Sequence, residues 1–485
     1  MPKFDFPPLS KIKEGIEFYD HQYEGVNKMI RMGNVILSDE MGLGKSLQTL
    51  VVLAYDFERG KAKRAIIVCT NSLKYNWADE CEKFTRFKAM VLDGTPRKRL
   101  GQLREFLAND FEVLIVSYEQ LKIHKDELME MGFDFAIYDE AHAIKNPQSK
   151  RTKAALAFKT PRTFILTGSP LLNRVNEMWV LLHKCDPLGY PKYWTFVHRY
   201  CVFGGYEGRE IVGVKNQSEL KEKISGIMLR RLKKDVLNLP DKQRIKVLVD
   251  MTPDQRRMYD QANKELMIEL PSTPDPMELE NALTKFLRLK QICSTTYNLD
   301  KAIDHSEKLD RAVEMIQELI ESGESVVVFT QFRGTIEALN IRLSRAGTRS
   351  YQLHGDVPAS ERQNVVRRWT AETKAGEPSP LICMLQVAGV GLNLTAANTV
   401  IFLDKLFVPK LNEQAEDRVH RIGVDVGKPI RIFELVARKT IEQRIEAILA
   451  TKNKLFDEIV EGSSVDTAWK RKLIAAALAA EGDDD

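Results

Sequence analysis

The sequence predicts an α/β protein built from two open, doubly wound parallel sheets in tandem, and three observations carry that prediction. Short continuous apolar runs alternate with helical patterns twice along the 485 residues. Those runs are short enough for strands yet apolar throughout, as expected of strands buried on both faces of a parallel sheet. The first run leads directly into "SDEMGLGKS" (Ser38 to Ser46), a glycine-rich loop standing between strand and helix, the context in which such loops bind phosphate.

In the first half the strand runs are "NVILS", "AIIVC", "VLIVS", "FAIYD" and "TFILT"; in the second they are "SVVVF", "SYQLH", "LICML", "TVIFLD" and "RIFELV". Between them lie amphipathic stretches such as "EKLDRAVEMIQELIE", with Leu309, Val313, Ile316 and Ile320 at helical spacing. From about Trp194 to Cys293 strand signals are sparse and helices are expected. There "PDQRRMYDQANKELMIEL" places Met258, Ala262 and Leu266 on one face, and "ENALTKFLRLKQIC" does so with Leu283, Phe286, Leu287 and Lys290. An interdomain linker is expected near Leu237 to Lys242, and Thr440 with Gln443 reads as a capping box that opens a further helix through Ile441, Ile445 and Ile448. The closing "EGDDD" reads as a frayed acidic end.

Composition bounds the function. Hydrophobic residues are 44%, charged residues 29% and net charge +4, ordinary for a globular protein and insufficient by itself to demand a nucleic-acid partner. No run of membrane-spanning length and no signal-peptide core is present. The six cysteines form no C-x-x-C pair, so reduced packing cysteines are expected, and no zinc-ligand spacing occurs.

In the loop, Gly42 and Gly44 free backbone N–H groups to turn toward phosphate, Lys45 reaches the β- and γ-phosphates, and Ser46 offers a hydroxyl to Mg²⁺. Asp39 stands where the common pattern has glycine, and a glycine-rich turn between strand and helix would present the same residues. Downstream, "FAIYDEAH" sets Asp139 and Glu140 at the end of another buried strand. Adjacent carboxylates there are costly unless they meet a cation or water. Asp139 is therefore expected to hold Mg²⁺ and Glu140 to polarise the attacking water; an exposed acidic strand end is the plain alternative. His142 either couples nucleotide state to the next motif or caps a turn.

Together these stretches resemble the Swi/Snf-like family of superfamily-two helicases. "SDEMGLGKS" is similar to that family's phosphate loop, "YDHQYEGV" to its adenine-reading motif with Gln22, and "TNSLKYNWADECEKF" to its DNA-backbone segment. "LTGSPLLNRVNEMW" resembles the motif linking ATP state to lobe movement, with Ser169 in place of the usual threonine. "MLRRLKKDV", "LRLKQIC", "VVVFTQF", "VAGVGLNLTAANTVIFLD" and "EQAEDRVHRIG" resemble the remaining motifs in order, from about Tyr19 to Arg444. Gln386, Val387 and Val424 depart from the pattern. The wording "QAEDRVHRIG" is closest to the fork-remodelling, annealing-helicase branch.

The resemblance implies two RecA-like P-loop domains with helical insertions and a C-terminal helical segment. It divides the chain into an ATP-binding lobe (1–240), a helical insertion or linker (241–300), a C-terminal lobe (301–450) and a helical extension with acidic tail (451–485). ATP and Mg²⁺ are implied, with Gln22, Gly42, Leu43, Gly44, Lys45, Ser46, Gly391 and Gln414 at the nucleotide. Arg418 and Arg421, three apart on a helix with Gln414 on about the same face, are implied to face the γ-phosphate. Lys74, Asn76, Arg230, Arg231, Gln331 and Phe332 are candidate DNA contacts, as are Lys233, Lys234 and the cluster Arg97, Lys98 and Arg99; a solvated charged face is the alternative for the basic runs. Trp77 reads as packing. The implied partner is double-stranded or branched DNA, with replication, repair or transcription proteins beside it, and the implied state is a monomer. The implied location is with the DNA, in the cytoplasm of a bacterial or virus-infected cell or in a nucleus. The expected activity is a DNA-dependent ATPase that translocates on duplex DNA; an RNA-directed or RNA-polymerase-recycling ATPase and a nucleotide-gated clamp with little turnover are the alternatives.

Overall fold

The protein is described by a computed structural model covering residues 4–168, 175–204, 210–268, 276–388, 391–406, 409–425 and 427–444. The chain divides into two units, Met1–Asn238 and Leu239–Asp485.

The first unit holds a seven-stranded parallel sheet. Its strands are β1 (Val35–Leu37), β2 (Ala65–Cys69), β3 (Ala89–Val91), β4 (Val113–Ser117), β5 (Phe135–Tyr138), β6 (Arg162–Leu166) and, after a side hairpin of β7 (Cys201–Gly204) and β8 (Glu210–Val214), β9 (Met228–Leu229). The spatial order is β3-β4-β2-β5-β6-β1-β9. Apolar runs form these strands because both faces are covered. Ile36, Ile66, Val68, Leu114, Val116, Ala136 and Ile165 enter one core, while Val35, Leu37, Ile67, Ile115 and Ile137, pointing the other way, are also fully buried. Helix α1 (Asp20–Met32) precedes β1, α2 (Lys45–Glu58) follows it, and α3 (Lys74–Phe84) follows β2.

The second unit carries a six-stranded parallel sheet of β10 (Lys242–Val249), β11 (Val326–Thr330), β12 (Tyr351–Leu353), β13 (Pro380–Met384), β14 (Thr399–Phe402) and β15 (Ile430–Ala437), in the order β10-β15-β14-β11-β13-β12. Residues alternate between two cores: Val327, Phe329, Val400 and Phe402 enter one, and Val326, Val328, Ile401 and Leu435 the other. The helix Glu307–Glu321 is N-capped by Ser306, whose hydroxyl accepts from the Leu309 N–H. Leu309, Ala312, Met315, Ile316 and Leu319 form its buried stripe.

Between Trp194 and Cys293, where strand signals are sparse and helices are expected to dominate, the structure adds strands. It contains β7, β8, β9 and β10. The last of these, within the stretch read as linker and insertion, pairs with β15 over eight residues, Lys242↔Ile430 to Val249↔Ala437. As an edge strand with half-exposed Ile245 and Leu248 among Lys242, Arg244 and Lys246, it lacks the apolar run of a central strand. In the helix Pro276–Ser294 the buried stripe is Phe286, Leu289, Lys290, Ile292 and Cys293, whereas Leu287 is exposed; side chains of Leu266 and Leu283 lie outside the described residues. In the helix Pro253–Ile268, Gln255 and Tyr259 are buried and Met258 and Ala262 half-buried. The Thr440 cap forms with shifted partners: its hydroxyl accepts from the Glu442 N–H, and Gln443 Oε1 accepts from the Lys439 N–H. Ile445, Ile448 and residues 451–485 lie outside the described residues.

Candidate functional site

The phosphate loop leaves the carboxyl end of β1 and becomes α2 at Lys45. Gly42 (φ 87°) and Gly44 (φ 77°) adopt the left-handed backbone that glycine tolerates best. At Gly44 a Cβ would also fall 2.3 Å from Gln22 Nε2. The Leu43 carbonyl turns inward, where it accepts from Gln22 Nε2 at 3.3 Å and Gln48 Nε2 at 3.2 Å and lies 3.1 Å from His21 Nε2. Burial lowers the His21 pKa below its ordinary value, chiefly by disfavouring the charged ring. Gln22 is thus seated against the loop, with its Oε1 accepting from the Tyr19 N–H at 3.1 Å. Lys45 Nζ donates to the Asp39 carbonyl at 2.8 Å and contacts the Glu40 carbonyl at 3.4 Å, and Ser46 is half-buried beside it.

Asp39, the departure from the common pattern, is fully buried. Arg231 closes on it with Nε at 3.1 Å from Oδ1 and a second contact from its other terminus to Oδ2; it also reaches the His21 carbonyl and Gln48 Oε1 (2.6 Å). The carboxylate is therefore a structural anchor tying the loop to the chain after β9. Gly25 is required nearby, because a Cβ there would lie 2.3 Å from Gln48 Oε1 and 2.7 Å from Arg231.

Asp139 and Glu140 sit just past β5. Asp139 is half-buried and accepts from Trp77 Nε1 and from the Glu140 N–H, each at 2.8 Å. Burial first, and the Glu140 charge second, hold its pKa up to about 6 against the pull of Trp77 and Lys45. Glu140 has a left-handed backbone (φ 48°), a strained conformation for a side-chain-bearing residue, and its Oε2 lies 3.2 Å from His142 Nδ1. Gly168, after β6, completes the group: a Cβ there would meet Met41 at 2.5 Å and Lys45 Nζ at 3.6 Å. The ends of β1, β5 and β6 thus carry a lysine, a hydroxyl and two carboxylates, and the three oxygen-bearing groups are of the type that suits a hard divalent cation. Ser169 lies outside the described residues.

Several expected DNA contacts are redirected. Lys74 is buried, with Nζ donating to the Leu92 carbonyl and to Asp93 Oδ1, both at 2.9 Å, so its charge is spent inside the fold. Arg231 is the Asp39 clamp, and Lys233 is buried with its backbone N–H on Glu40. Arg230 and Lys234 are exposed, as are Arg97 and Lys98; Arg99 and Asn76 are half-buried. In the second unit Gln331 and Phe332 are both buried, and Gln331 donates from its N–H to Asp404 and from Nε2 to the Lys405 carbonyl.

The arginine segment is also corrected. Its helix ends at Glu416, so Arg418 and Arg421 do not share a helical face with the half-buried Gln414. The chain turns through three-residue steps, Arg418 N–H to the Ala415 carbonyl and Val419 N–H to the Glu416 carbonyl. The buried Glu416 carboxylate is bridged by Lys242 at 3.0 Å and Arg244 at 2.8 Å from β10, while Val419 is buried; those two anchors bend the chain. Arg418 is buried, and Arg421 reaches the Leu392 carbonyl at 3.4 Å, beside Gly391 (φ 69°).

Sequence reasoning missed the Trp77–Asp139 and Arg231–Asp39 bonds. They span 62 and 192 residues, and no local signal marks such pairs.

The SNF2-related domain family matches residues 21–298, and the helicase conserved C-terminal domain matches residues 307–423. An uncharacterized ATP-dependent helicase of Mycoplasma pneumoniae is 31% identical, covering 93% of this chain and 44% of that protein. The human SWI/SNF-related matrix-associated actin-dependent regulator of chromatin subfamily A member 1 is 29% identical, covering 97% and 46%. The putative ATP-dependent helicase/translocase YwqA of Bacillus subtilis is 29% identical, covering 88% and 46%. The chain thus spans a little under half the length of these relatives. The solved Sulfolobus solfataricus SWI2/SNF2 ATPase core in complex with dsDNA is 27% identical with a TM-score of 0.46, covering 97% of this chain and 98% of that one.

Proposed function

The chain belongs to the SNF2-related domain family, and from that premise we propose that it is a DNA-stimulated ATPase that moves along duplex DNA. The observation that most supports this reading is the grouping of Lys45, Asp139 and Glu140 at strand ends, with Lys45 close enough to lower the Asp139 pKa. In the proposed reaction the N–H groups of the loop and Lys45 hold the β- and γ-phosphates. Ser46 and Asp139 are the residues to hold Mg²⁺, whose charge would offset that of the phosphate oxygens. Glu140, steadied by His142, accepts a hydrogen bond from the attacking water and orients it in line with the γ-phosphorus. Trp77 fixes the Asp139 carboxylate through its indole N–H. Gln22, buttressing the loop, is proposed at the adenine, and Gly391, Gln414, Arg418 and Arg421 of the second unit are proposed to be nucleotide-binding residues. For DNA, the exposed Arg97, Lys98, Arg230 and Lys234 suit phosphate contacts that position without reading sequence.

The test compares ATP turnover with duplex DNA, single-stranded DNA and RNA. Duplex DNA is expected to stimulate most; stimulation by RNA alone would move the reading to an RNA-directed enzyme, and turnover indifferent to all three would sink it. A second reading, strand separation, is favoured by one observation: the antiparallel β7–β8 hairpin, close in sequence to an exposed Trp194. A pair of assays separates the two. Translocation on intact duplex displaces the third strand of a triplex without releasing a strand from a tailed duplex, whereas a strand-separating enzyme releases it.

A further inference from the structure

We propose that the first unit carries a second anion site, separate from the phosphate loop, that takes a phosphate group. A cavity of about 290 Å³ opens between α1, β9 and the helix Gln217–Ser225. Three cations line it, one from each element or its end: Lys28, Lys221 and Arg230. All three are exposed, and among the described residues none has an ion-pair partner. Its floor is Ser38, only 1% exposed, whose Oγ has no hydrogen-bond partner. Ile224 and Leu229 form an apolar wall.

A buried hydroxyl without a partner costs about 1–3 kcal/mol, and here it belongs to a residue lining the same cavity as three basic side chains. An acceptor entering the cavity satisfies the hydroxyl and the cations together. The volume equals about ten water molecules at roughly 30 Å³ each, room for a phosphate group with its ester or a second phosphate. Three cations match a multiply charged anion better than a single carboxylate, and the Arg230 fork suits paired phosphate oxygens. One feature opposes binding: the cavity meets the last turn of the helix Gln217–Ser225, whose Ser225 hydroxyl is already donated to the Glu222 carbonyl. That helix end carries only about half a negative charge, against three full positive ones.

The cavity is distinct from the loop yet wired to it. None of residues 39–46 lines it. Arg230 faces the cavity and Arg231, the next residue, faces Asp39. The Ser38 N–H donates to the Leu229 carbonyl at 2.7 Å and the Glu40 N–H to the Arg231 carbonyl at 3.0 Å. An anion on Arg230 and Ser38 therefore sits back to back with the clamp that holds the phosphate loop.

The experiment titrates inorganic pyrophosphate into the full chain carrying Lys45→Ala, which removes the loop's ammonium, and follows heat release and melting temperature at low salt. One saturable event is expected, with Kd weakened about ten-fold by Lys221→Gln, the loss of one charge-assisted contact. Ser38→Ala should leave the ligand-free melting temperature unchanged or raised, since it deletes an unsatisfied group, while still weakening pyrophosphate. Lys153→Gln, an exposed lysine elsewhere on the unit, should change nothing. Absence of a saturable event, or equal weakening by Lys153→Gln and Lys221→Gln, overturns the site. A short duplex is then added as competitor. Displacement of pyrophosphate identifies a nucleic-acid backbone as the source of the phosphate, and retention identifies a free phosphate compound; either upholds the site. Because the readout is binding in a hydrolysis-deficient background, it stands or falls apart from the proposed ATPase activity.

Discussion

The root of the phosphate loop in the first unit and the arginine turn in the second both hold a buried carboxylate under basic side chains, but they use it differently. At the loop, fully buried Asp39 takes a two-pronged grip from Arg231, and the residues around it are pinned by Gln22, Gln48 and His21. The carboxylate anchors, leaving Lys45 and Ser46 beyond it as the proposed phosphate and Mg²⁺ contacts. At the turn, buried Glu416 is held by Lys242 and Arg244 of an edge strand, and Arg418 and Arg421 follow on non-helical backbone. The loop is braced from several elements; the turn is braced chiefly from one. Rigid placement of charge is what phosphoryl chemistry requires, so the first region suits holding a nucleotide, while in the second Arg421 meets the Leu392 carbonyl and the Arg418 carbonyl accepts from the Leu394 N–H.

The largest expected effect tests whether the loop is chemistry rather than a turn. Lys45→Ala should cut ATP turnover by about a thousand-fold or more, the scale of a lost transition-state charge contact, with circular dichroism unchanged. Glu140→Gln should match that loss in turnover while retaining nucleotide binding by fluorescence titration. Near-normal turnover in either would break the assignment. Next, Arg231→Ala should destabilise the first unit by about 3–5 kcal/mol, because Asp39 is left as an unpaired buried charge, whereas neighbouring Arg230→Ala should stay within about 0.5 kcal/mol. Hydrogen exchange at α2 reads both, and equal effects would dissolve the distinction between clamp and surface residue. Smaller again, Glu416→Gln should cost about 1.5–3 kcal/mol, the range for hydrogen bonds to charged groups. It should open exchange at β15 but leave α2 protected; loosening of α2 would mean that the two regions are not independently braced.

The last prediction is a pH dependence. The Asp139 carboxyl titrates at about 6 in the fold and at 3.8 without it. Between those values the folded chain keeps a proton that the unfolded chain has lost, so this group's contribution to stability falls as pH rises from 3.8 to about 6. Asp139→Asn should lack that fall in denaturant midpoints measured across the window. An identical slope in the variant would assign the titration to another group.

Most strands were legible because their runs are largely apolar, and the proposed nucleotide-binding set was legible because its members sit at strand ends in contiguous motifs. The edge strands β3, β9 and β10 were not. Residues 242–249 mix Lys242, Arg244 and Lys246 with Ile245 and Leu248, a pattern that solvent on one side permits and that a linker shares. Two-residue β9 is too short for any periodicity, yet it leads to the loop's clamp.

By itself, the sequence determined the order of most central strands and helices, the glycines that let the loop turn, and the presence of Lys45, Asp139 and Glu140 after their strands. Tertiary structure alone decided which basic residues face inward. Arg230 and Arg231 are adjacent and chemically alike, but one reaches a cavity and the other a buried aspartate. Lys74, read as a phosphate contact, is committed to Asp93. A cation's role depends on whether a carboxylate lies within reach, because that partner offsets the cost of burying the charge. Such partners lie anywhere from 19 to 192 residues away, a distance over which composition, spacing and periodicity carry no information, and which only the folded chain closes.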